Sequence, residues 1–256
     1  MSAQLDLSKL SVGQFAERFR AEMIPLSNTF SYFCASVPLS DEDVKEYLQE
    51  PVAALPPAVA SRFPKISIIL VPYLERGLGK EKVSGKQSQF ISMEKPPEGR
   101  LSWNTQLRVG NEEVLVFALK DQEVAEYHYR FYGVLASLLA DRRTEDEISA
   151  YGGLLRDELA SDIHGEVDEE SWQLKQALLR RQTGKRHMDS KAFRDYARQS
   201  FIDTLTLYLH GICCDIDVET GPRQLPSRFL RKRLQLLHSL YAPPDGYAVF
   251  PEDLKK

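Results

Sequence analysis

Residues 113–139 read EVLVFALKDQEVAEYHYRFYGVLASLL, and they decide how the chain is built. Val114-Leu-Val-Phe-Ala-Leu119 is a short apolar run rich in β-branched and aromatic residues, the composition of a strand. Lys120-Asp-Gln interrupts it. Beyond that point Val124, Tyr127, His128, Phe131, Leu135 and Leu138 recur at spacings of three and four, which places them on one face of a helix. A strand therefore delivers the chain directly into a long helix. Glu123, Glu126 and His128 stand where the two meet.

Upstream, Leu101 to Val109 alternates Leu101, Trp103, Thr105, Leu107 and Val109 on one face, and Gly110-Asn111 joins it to Val114. Two strand-like runs separated by Gly-Asn predict a two-residue hairpin of the primed type, because both residues tolerate positive φ. Lys65 to Tyr73 is rich in Ile and Val. Gln87 to Met93 is a shorter strand candidate after the linker-like Gly77 to Gly85. These runs predict a small, mostly antiparallel sheet of three or four strands over about residues 65–119. The first third reads as helices broken by prolines. Val12, Phe15, Phe19 and Met23 share a helical face, and Ser40-Asp-Glu-Asp43 offers a capped start for a helix that Pro51, Pro56 and Pro57 should end.

Downstream everything reads as helix. Thr144 with Glu147 forms a capping box for a helix to about Asp162. Further helices are expected over about Val167–Gln182, Ser190–Gly211 and Pro226–Tyr241. The order argues for a helix-rich α+β chain. It is read as one domain over 1–256, with an N-terminal helical segment (1–64), the sheet (65–120) and a C-terminal helical segment (121–256).

Composition excludes several classes. With 43% hydrophobic, 27% charged and 10% aromatic residues, the 256-residue chain has the make-up of an ordinary globular protein. A net charge of −4 does not point to a polyanionic partner for the whole chain. Polar residues interrupt the N-terminus every few positions, so no secretory signal is expected, and no apolar run is long enough to predict a membrane-spanning helix. Cys34, Cys213 and Cys214 form no C-x-x-C, and an odd count leaves one over; the reading is a reduced, cytoplasmic protein. There is no P-loop, no G-x-G-x-x-G after a strand and no G-x-S-x-G elbow. Asp215-Ile-Asp217-Val-Glu219 lacks the glycine and terminal glutamate of a calcium loop and reads as a surface turn.

A strand feeding a helix, followed by the acidic segment His164-Gly-Glu-Val-Asp-Glu-Glu170 and an apolar Leu178-Leu179, resembles the layout of zincin-type metallopeptidases over roughly residues 100–180. That resemblance implies a helix carrying His-Glu-x-x-His beside the sheet and a third ligand from the later helix. The motif itself is absent. Two histidines at i and i+4 are needed to face one zinc ion, with the Glu as general base. Gln122-Glu-Val-Ala-Glu126 keeps the Glu and loses both histidines; His128-Tyr-Arg-Phe-Tyr132 keeps one histidine and loses the rest. The resemblance therefore implies at most a degenerate copy, with no cofactor or metal expected. Glu123, Glu126 and His128 stand as the catalytic candidates, and His128, His164, Glu166 and Glu169 as the metal candidates.

The same residues have an ordinary structural reading. His128 falls within the apolar arc, Glu126 and Arg130 make an i,i+4 pair, and Glu123 in the first turn favours the helix dipole. Glu166 and Glu170, four apart, would share a helical face, and acids crowd into first turns for dipole reasons alone.

Charge is unevenly spread. From Asp141 to Glu170 there are eleven acids to three bases, and from Lys175 to His238 thirteen bases to six acids. Two basic clusters stand out, Arg180 to Arg186 and Arg228-Phe-Leu-Arg-Lys-Arg233. On the last helix Leu230, Leu234 and Leu237 form the inward face and leave Arg228, Arg231 and Lys232 to solvent, where they can bind an anion or a partner, or answer the acidic helix of the same chain. The sequence thus reads as a non-catalytic, cytoplasmic protein-binding or regulatory domain with an unidentified protein partner. A metal-dependent hydrolase with an atypical site and a nucleic-acid-associated protein using the basic helices are the alternatives.

Overall fold

The computed structural model describes residues 10–77, 82–83, 86–181, 190–214 and 223–250. The fold is α+β. The described residues form two compact units: one takes the chain up to Ala53 and Phe63–Arg130, the other Ala54–Arg62 and the chain from Phe131 on.

The first unit contains α1 (Val12–Phe19), β1 (Ile24–Pro25), β2 (Phe30–Cys34), α2 (Asp41–Val44) and, after a π-helical turn at Lys45–Gln49, α3 (Glu50–Ala53). The chain returns after α4 (Pro57–Ala60) with β3 (Ile66–Val71), β4 (Tyr73–Arg76), the short pair β5 (Lys82–Val83) and β6 (Lys86–Gln87), β7 (Gln89–Ser92), β8 (Leu101–Ser102), β9 (Asn104–Val109) and β10 (Glu112–Ala118). Five strands form one sheet in the order β1-β2-β3-β10-β9, and β7-β4-β8 form a separate antiparallel sheet.

The expected mostly antiparallel sheet is corrected by the register. β2 and β3 pair in parallel, as do β3 and β10; only the outer strands β1 and β9 run antiparallel to their neighbours. The cause is in the side chains. Every residue of β3, Ile66-Ser-Ile-Ile-Leu-Val71, is buried, as are Glu113 to Ala118 of β10. A strand covered on both faces carries a continuous apolar run, which is what parallel sheets require. One face, through Ile69, Val71, Val114, Val116 and Ala118, packs with Val12, Phe15 and Ala16 of α1. On the other, Phe117 meets Tyr127, whose ring is also edge-on to Tyr47, with centroids 5.2 and 5.3 Å apart.

Three further expectations change. Leu101–Val109 is two strands, not one: β8 pairs with β4, and the chain crosses at Trp103 to pair β9 with β10. The proline-broken first third contains β2. Pro51 sits within α3 rather than ending the helix, because the preceding turn at Lys45–Gln49 is widened to π spacing, and such a bulge relieves the clash and the lost hydrogen bond that a proline causes. Ser40 nevertheless caps α2 with Asp43 as expected, the Asp43 N–H donating to Ser40 Oγ at 3.1 Å.

The second unit begins its helical run within α5 (Val124–Ala140) and continues through α6 (Glu145–Ala160), α7 (Glu169–Arg181), α8 (Lys191–Cys213) and α9 (Ser227–Leu240). Thr144 and Glu147 form the expected capping box. Glu147 also takes a two-pronged contact from Arg62, at 3.3 and 3.0 Å. The candidate turn at Asp215–Glu219, most of the basic cluster at Arg180–Arg186 and much of the linker-like Gly77–Gly85 lie outside the described residues.

In the hairpin, Val109 faces Glu112, leaving Gly110-Asn111 as a two-residue turn. Gly110 has φ +60° and Asn111 is not among the positive-φ residues, the pattern of a type II′ turn. Replacing Gly110 by Val forces a β-branched residue into the left-handed region and should cost on the order of 1 kcal/mol or more. A urea midpoint unchanged from wild type would show that the hairpin tolerates the strain.

Candidate functional site

The junction of β10 and α5 is built for packing. His128 is 4% exposed, and its Nε2 lies 2.9 Å from the carbonyl oxygen of Glu46. Burial pulls its pKa below the ordinary 6.5, with the Glu46 carbonyl and the Glu46 and Glu50 carboxylates opposing that pull. The ring is therefore neutral in the folded state at pH 7. Glu123 is exposed, and its carbonyl accepts the first bond of the helix, from Tyr127 N–H at 3.0 Å. Glu126 is exposed and reaches Arg130 at 3.7 Å. Glu123 and Glu126 thus face solvent while His128 faces the interior, and the three do not form one group of converging side chains. Cys34, in the same unit, has its thiol pushed up to about 11 by burial, which leaves it a weak nucleophile at neutral pH.

The acidic segment behaves differently from the expected helical face. Glu166 precedes α7 and is extended: its N–H donates to Arg223 O at 2.9 Å, and its carbonyl accepts from Leu225 N–H at 3.0 Å. Gly165 makes this pairing possible. It has φ +86°, and a Cβ there would stand 2.1 Å from the Gln224 carbonyl oxygen, so only glycine fits. The bridge draws the Glu166 carboxylate into the interior, where its side chain is fully buried. Asp168 ends the segment by offering its carbonyl to Trp172 N–H at 3.0 Å, and Glu169 and Glu170 occupy the first turn of α7.

Inside, Glu166 meets Arg233. The guanidinium donates from Nη1 to Glu166 Oε2 at 2.7 Å and from Nη2 to Oε1 at 3.0 Å. The same guanidinium reaches Glu158 through Nε, at 3.1 Å to Oε1, and through Nη2 to Oε2. Lys175 Nζ donates to Glu166 Oε1 at 3.0 Å and to Gly165 O at 2.9 Å, and Tyr196 Oη donates to Glu166 Oε1. Two carboxylates and two cations make the cluster electrically neutral. Burial would raise the Glu166 pKa, but Arg233, its hydrogen bonds and Lys175 hold the carboxyl at about 2.

Of the metal candidates in this unit, Glu166 is thus committed to cations on both oxygens. His164 is exposed, and Glu169 is exposed and bound to Arg223 at 3.3 Å. His164, Glu166 and Glu169 do not form a group close enough to share one ion among the described residues. Sequence reasoning missed Arg233, Lys175 and Glu158 as members of a cluster. The signal was present: Leu230, Arg233, Leu234 and Leu237 form one buried i, i+3, i+4, i+7 stripe, and Glu158 lies among Tyr151, Leu155 and Leu159. A charged residue on an apolar stripe must find its partner inside.

A second buried carboxylate lies on α8. Asp203 accepts from Ser171 N–H at 3.3 Å and from Gln199 Nε2 at 2.7 Å. Burial raises its pKa to about 6, more than these two bonds lower it.

The outward face of α9 carries the partner-binding candidates. Arg228, Arg231 and Lys232 are all exposed. Arg228 and Lys232 lie over the Phe229 ring, 4.7 and 5.4 Å from its centroid, and Arg231 lies 4.8 Å from that of Phe250. Arg228 and Lys232 have no acidic partner among the described residues. The charge link from α9 to the acidic α6 runs through the inward Arg233 instead.

These environments set the cost of substitution. His128→Ala should cost about 1–3 kcal/mol through lost contacts and the unpaired Glu46 carbonyl, whereas Glu123→Gln with Glu126→Gln should cost only a few tenths. Since His128 binds a proton less readily folded than unfolded, falling pH below about 6.5 favours the unfolded chain. The stability gap between wild type and His128→Ala should therefore narrow from pH 7.5 to 5.5 in parallel urea titrations; a constant gap would mean the ring is charged or exposed. Arg233→Met should be severe, about 3–5 kcal/mol, because it strands the buried Glu158 carboxylate and takes from Glu166 one of its two cations. Thermal unfolding would detect it, and a loss under about 1 kcal/mol would mean the carboxylates are hydrated or protonated in the variant.

No protein-family model matches the chain, and no curated protein or solved structure matches it either.

Proposed function

We propose that the chain is a non-catalytic, cytoplasmic protein-binding domain that docks an acidic segment of a protein partner on the outward face of α9. The observation that carries this reading is the pair Arg228 and Lys232, both exposed and lying over the Phe229 ring, with no acidic partner among the described residues. A face that combines unneutralised cations with an aromatic ring offers charge attraction and apolar contact together. The catalytic and metal candidates support it from the other side: His128 and the metal candidate Glu166 are held by internal bonds, and Glu123 and Glu126 face solvent. Cys34, Cys213 and Cys214 form no disulfide, in keeping with a reducing compartment. Among the described residues no helix is long and apolar enough to cross a membrane. In this reading the resemblance in layout to zincin-type domains is that of a scaffold lacking the His-Glu-x-x-His motif.

One observation favours a second reading. Phe229 and Phe250 interleaved with Arg228, Lys232 and Arg231 are also groups on which bases stack and phosphates pair. A single experiment separates the two. The purified chain is titrated with an oligo-glutamate peptide and with a single-stranded DNA oligonucleotide, at low and physiological salt. Peptide binding should weaken about tenfold in a variant carrying Arg228→Glu and Lys232→Glu, since two exposed pairs are each worth up to ~1 kcal/mol. The variant should keep the wild-type melting temperature. DNA bound more tightly than peptide, with a steep salt dependence, would favour the nucleic-acid reading. Stoichiometric zinc in protein purified without chelator would favour the hydrolase reading instead.

A further inference from the structure

In the first unit, β2, β3 and β10 begin side by side: Phe30 is in register with Ile66, and Ile66 with Glu113. Beyond these starts lies a cleft of about 230 Å³. That is below the ~300–1,000 Å³ of sites for drug-sized ligands and suits a smaller group.

The walls of the cleft are rich in donors. Arg20 and Lys65 contribute two cations, and Glu112 is the one acid of the lining. Glu112 already faces Arg20 at 3.4 Å, so the balance is one positive charge. The Lys65 ammonium, the Asn28 amide and the Thr29 hydroxyl have no hydrogen-bond or ion-pair partner among the described residues. Deeper in, Ser31 Oγ and Ser67 Oγ lie 3.3 Å apart, and Ser67 is 3% exposed. Two hydroxyls that share one hydrogen bond use one hydrogen between them; the acceptor keeps its own. Neither has a second partner among the described residues, so one O–H of the pair is left over, on buried Ser67 or on half-buried Ser31 at the cleft. Such a group is ordinarily satisfied by a ligand or water.

We propose that this cleft binds a small oxyanion, a phosphoryl or carboxylate group, with Lys65 supplying the charge and Asn28, Thr29 and the Ser31–Ser67 pair the hydrogen bonds. Surplus donors, a single acid already paired and a net positive charge select an acceptor-rich anion over a cation or a neutral donor. The site is independent of the basic face of α9, which belongs to the other unit.

The test is an amide-resolved NMR titration of the full chain with inorganic phosphate, with acetate, and with chloride at matched ionic strength. Saturable shifts confined to Asn28–Ser31 and Lys65–Ser67 are expected with phosphate or acetate, and only weak linear drift with chloride. Saturation by phosphate alone assigns a phosphoryl group; saturation by acetate assigns a carboxylate. Lys65→Gln should weaken binding about tenfold, as loss of one charge-assisted contact would. Lys65 is exposed and unpaired among the described residues, so its amide spectrum away from the cleft should be unchanged. The proposal is overturned if phosphate and acetate drift as chloride does, or if Lys65→Gln binds as tightly as wild type.

Discussion

Arg233 is fully buried, and a guanidinium cannot shed its charge to suit its surroundings. Everything near it has to supply acceptors and negative charge. Glu158 comes from α6, Ser200 from α8 and Glu166 from the extended segment before α7, while Lys175 of α7 balances the second carboxylate. Each of these elements is fixed to within hydrogen-bonding tolerance of the others. Apolar packing alone would allow the helices to slide or rotate at small cost, whereas a shift here leaves an ion unpaired in a low-dielectric interior. The requirement extends to the backbone, since Glu166 reaches Arg233 only because Gly165 lets the chain lie against Gln224.

The sheet unit solves a different problem by apolar means. Its central strands are covered on both faces, and the polar groups among them are few and located at the ends: Ser31 with Ser67, and Gln106 Nε2 donating to Glu113 at 3.1 Å. The long α5 begins in this unit and continues into the other. That is why Tyr127 and His128 read as core residues of the sheet unit: one packs on Phe117, and the other is bound to Glu46.

Local signals are legible in the sequence and pairing partners are not. The turn at Gly110-Asn111, the capping boxes at Ser40 and Thr144 and the bodies of α6, α8 and α9 depend on residues within a few positions of each other, and the sequence displays them. Strand direction depends on which distant strand lies alongside. Ile66–Val71 carries the mark of a doubly covered parallel strand in its unbroken apolar run, but the nearby hairpin signal favours an antiparallel reading. Phe30–Cys34 is hidden because five residues among prolines show too little periodicity to stand out. Pro51 departs from the usual effect of a proline because a π turn precedes it, and such a turn is invisible to propensity. For the site, the division of α9 into inward leucines and outward Arg228, Arg231 and Lys232 is legible from spacing. The depth of Arg233 is not, as long as the apolar stripe is counted in leucines alone.

Counting charges by region therefore overstates what is available for a partner. The last helix carries four cations between Arg228 and Arg233, yet Arg233 is engaged within the fold, by Glu158 of α6 and by Glu166. The same reasoning separates the carboxylates. A general base has to exchange its proton near the working pH. Glu166, held at about 2 by Arg233 and Lys175, is ionised at neutral pH and committed to those two cations. Asp203, at about 6, has the range that proton exchange needs, but both of its oxygens are engaged, one by the Ser171 N–H at the start of α7 and the other by Gln199. Its titration would act on the first turn of α7, through Ser171. Among the described residues, Glu166 and Asp203 are held by structural bonds, while Lys65 in the cleft and Arg228 and Lys232 on α9 are cations without an acidic partner and are suited to binding.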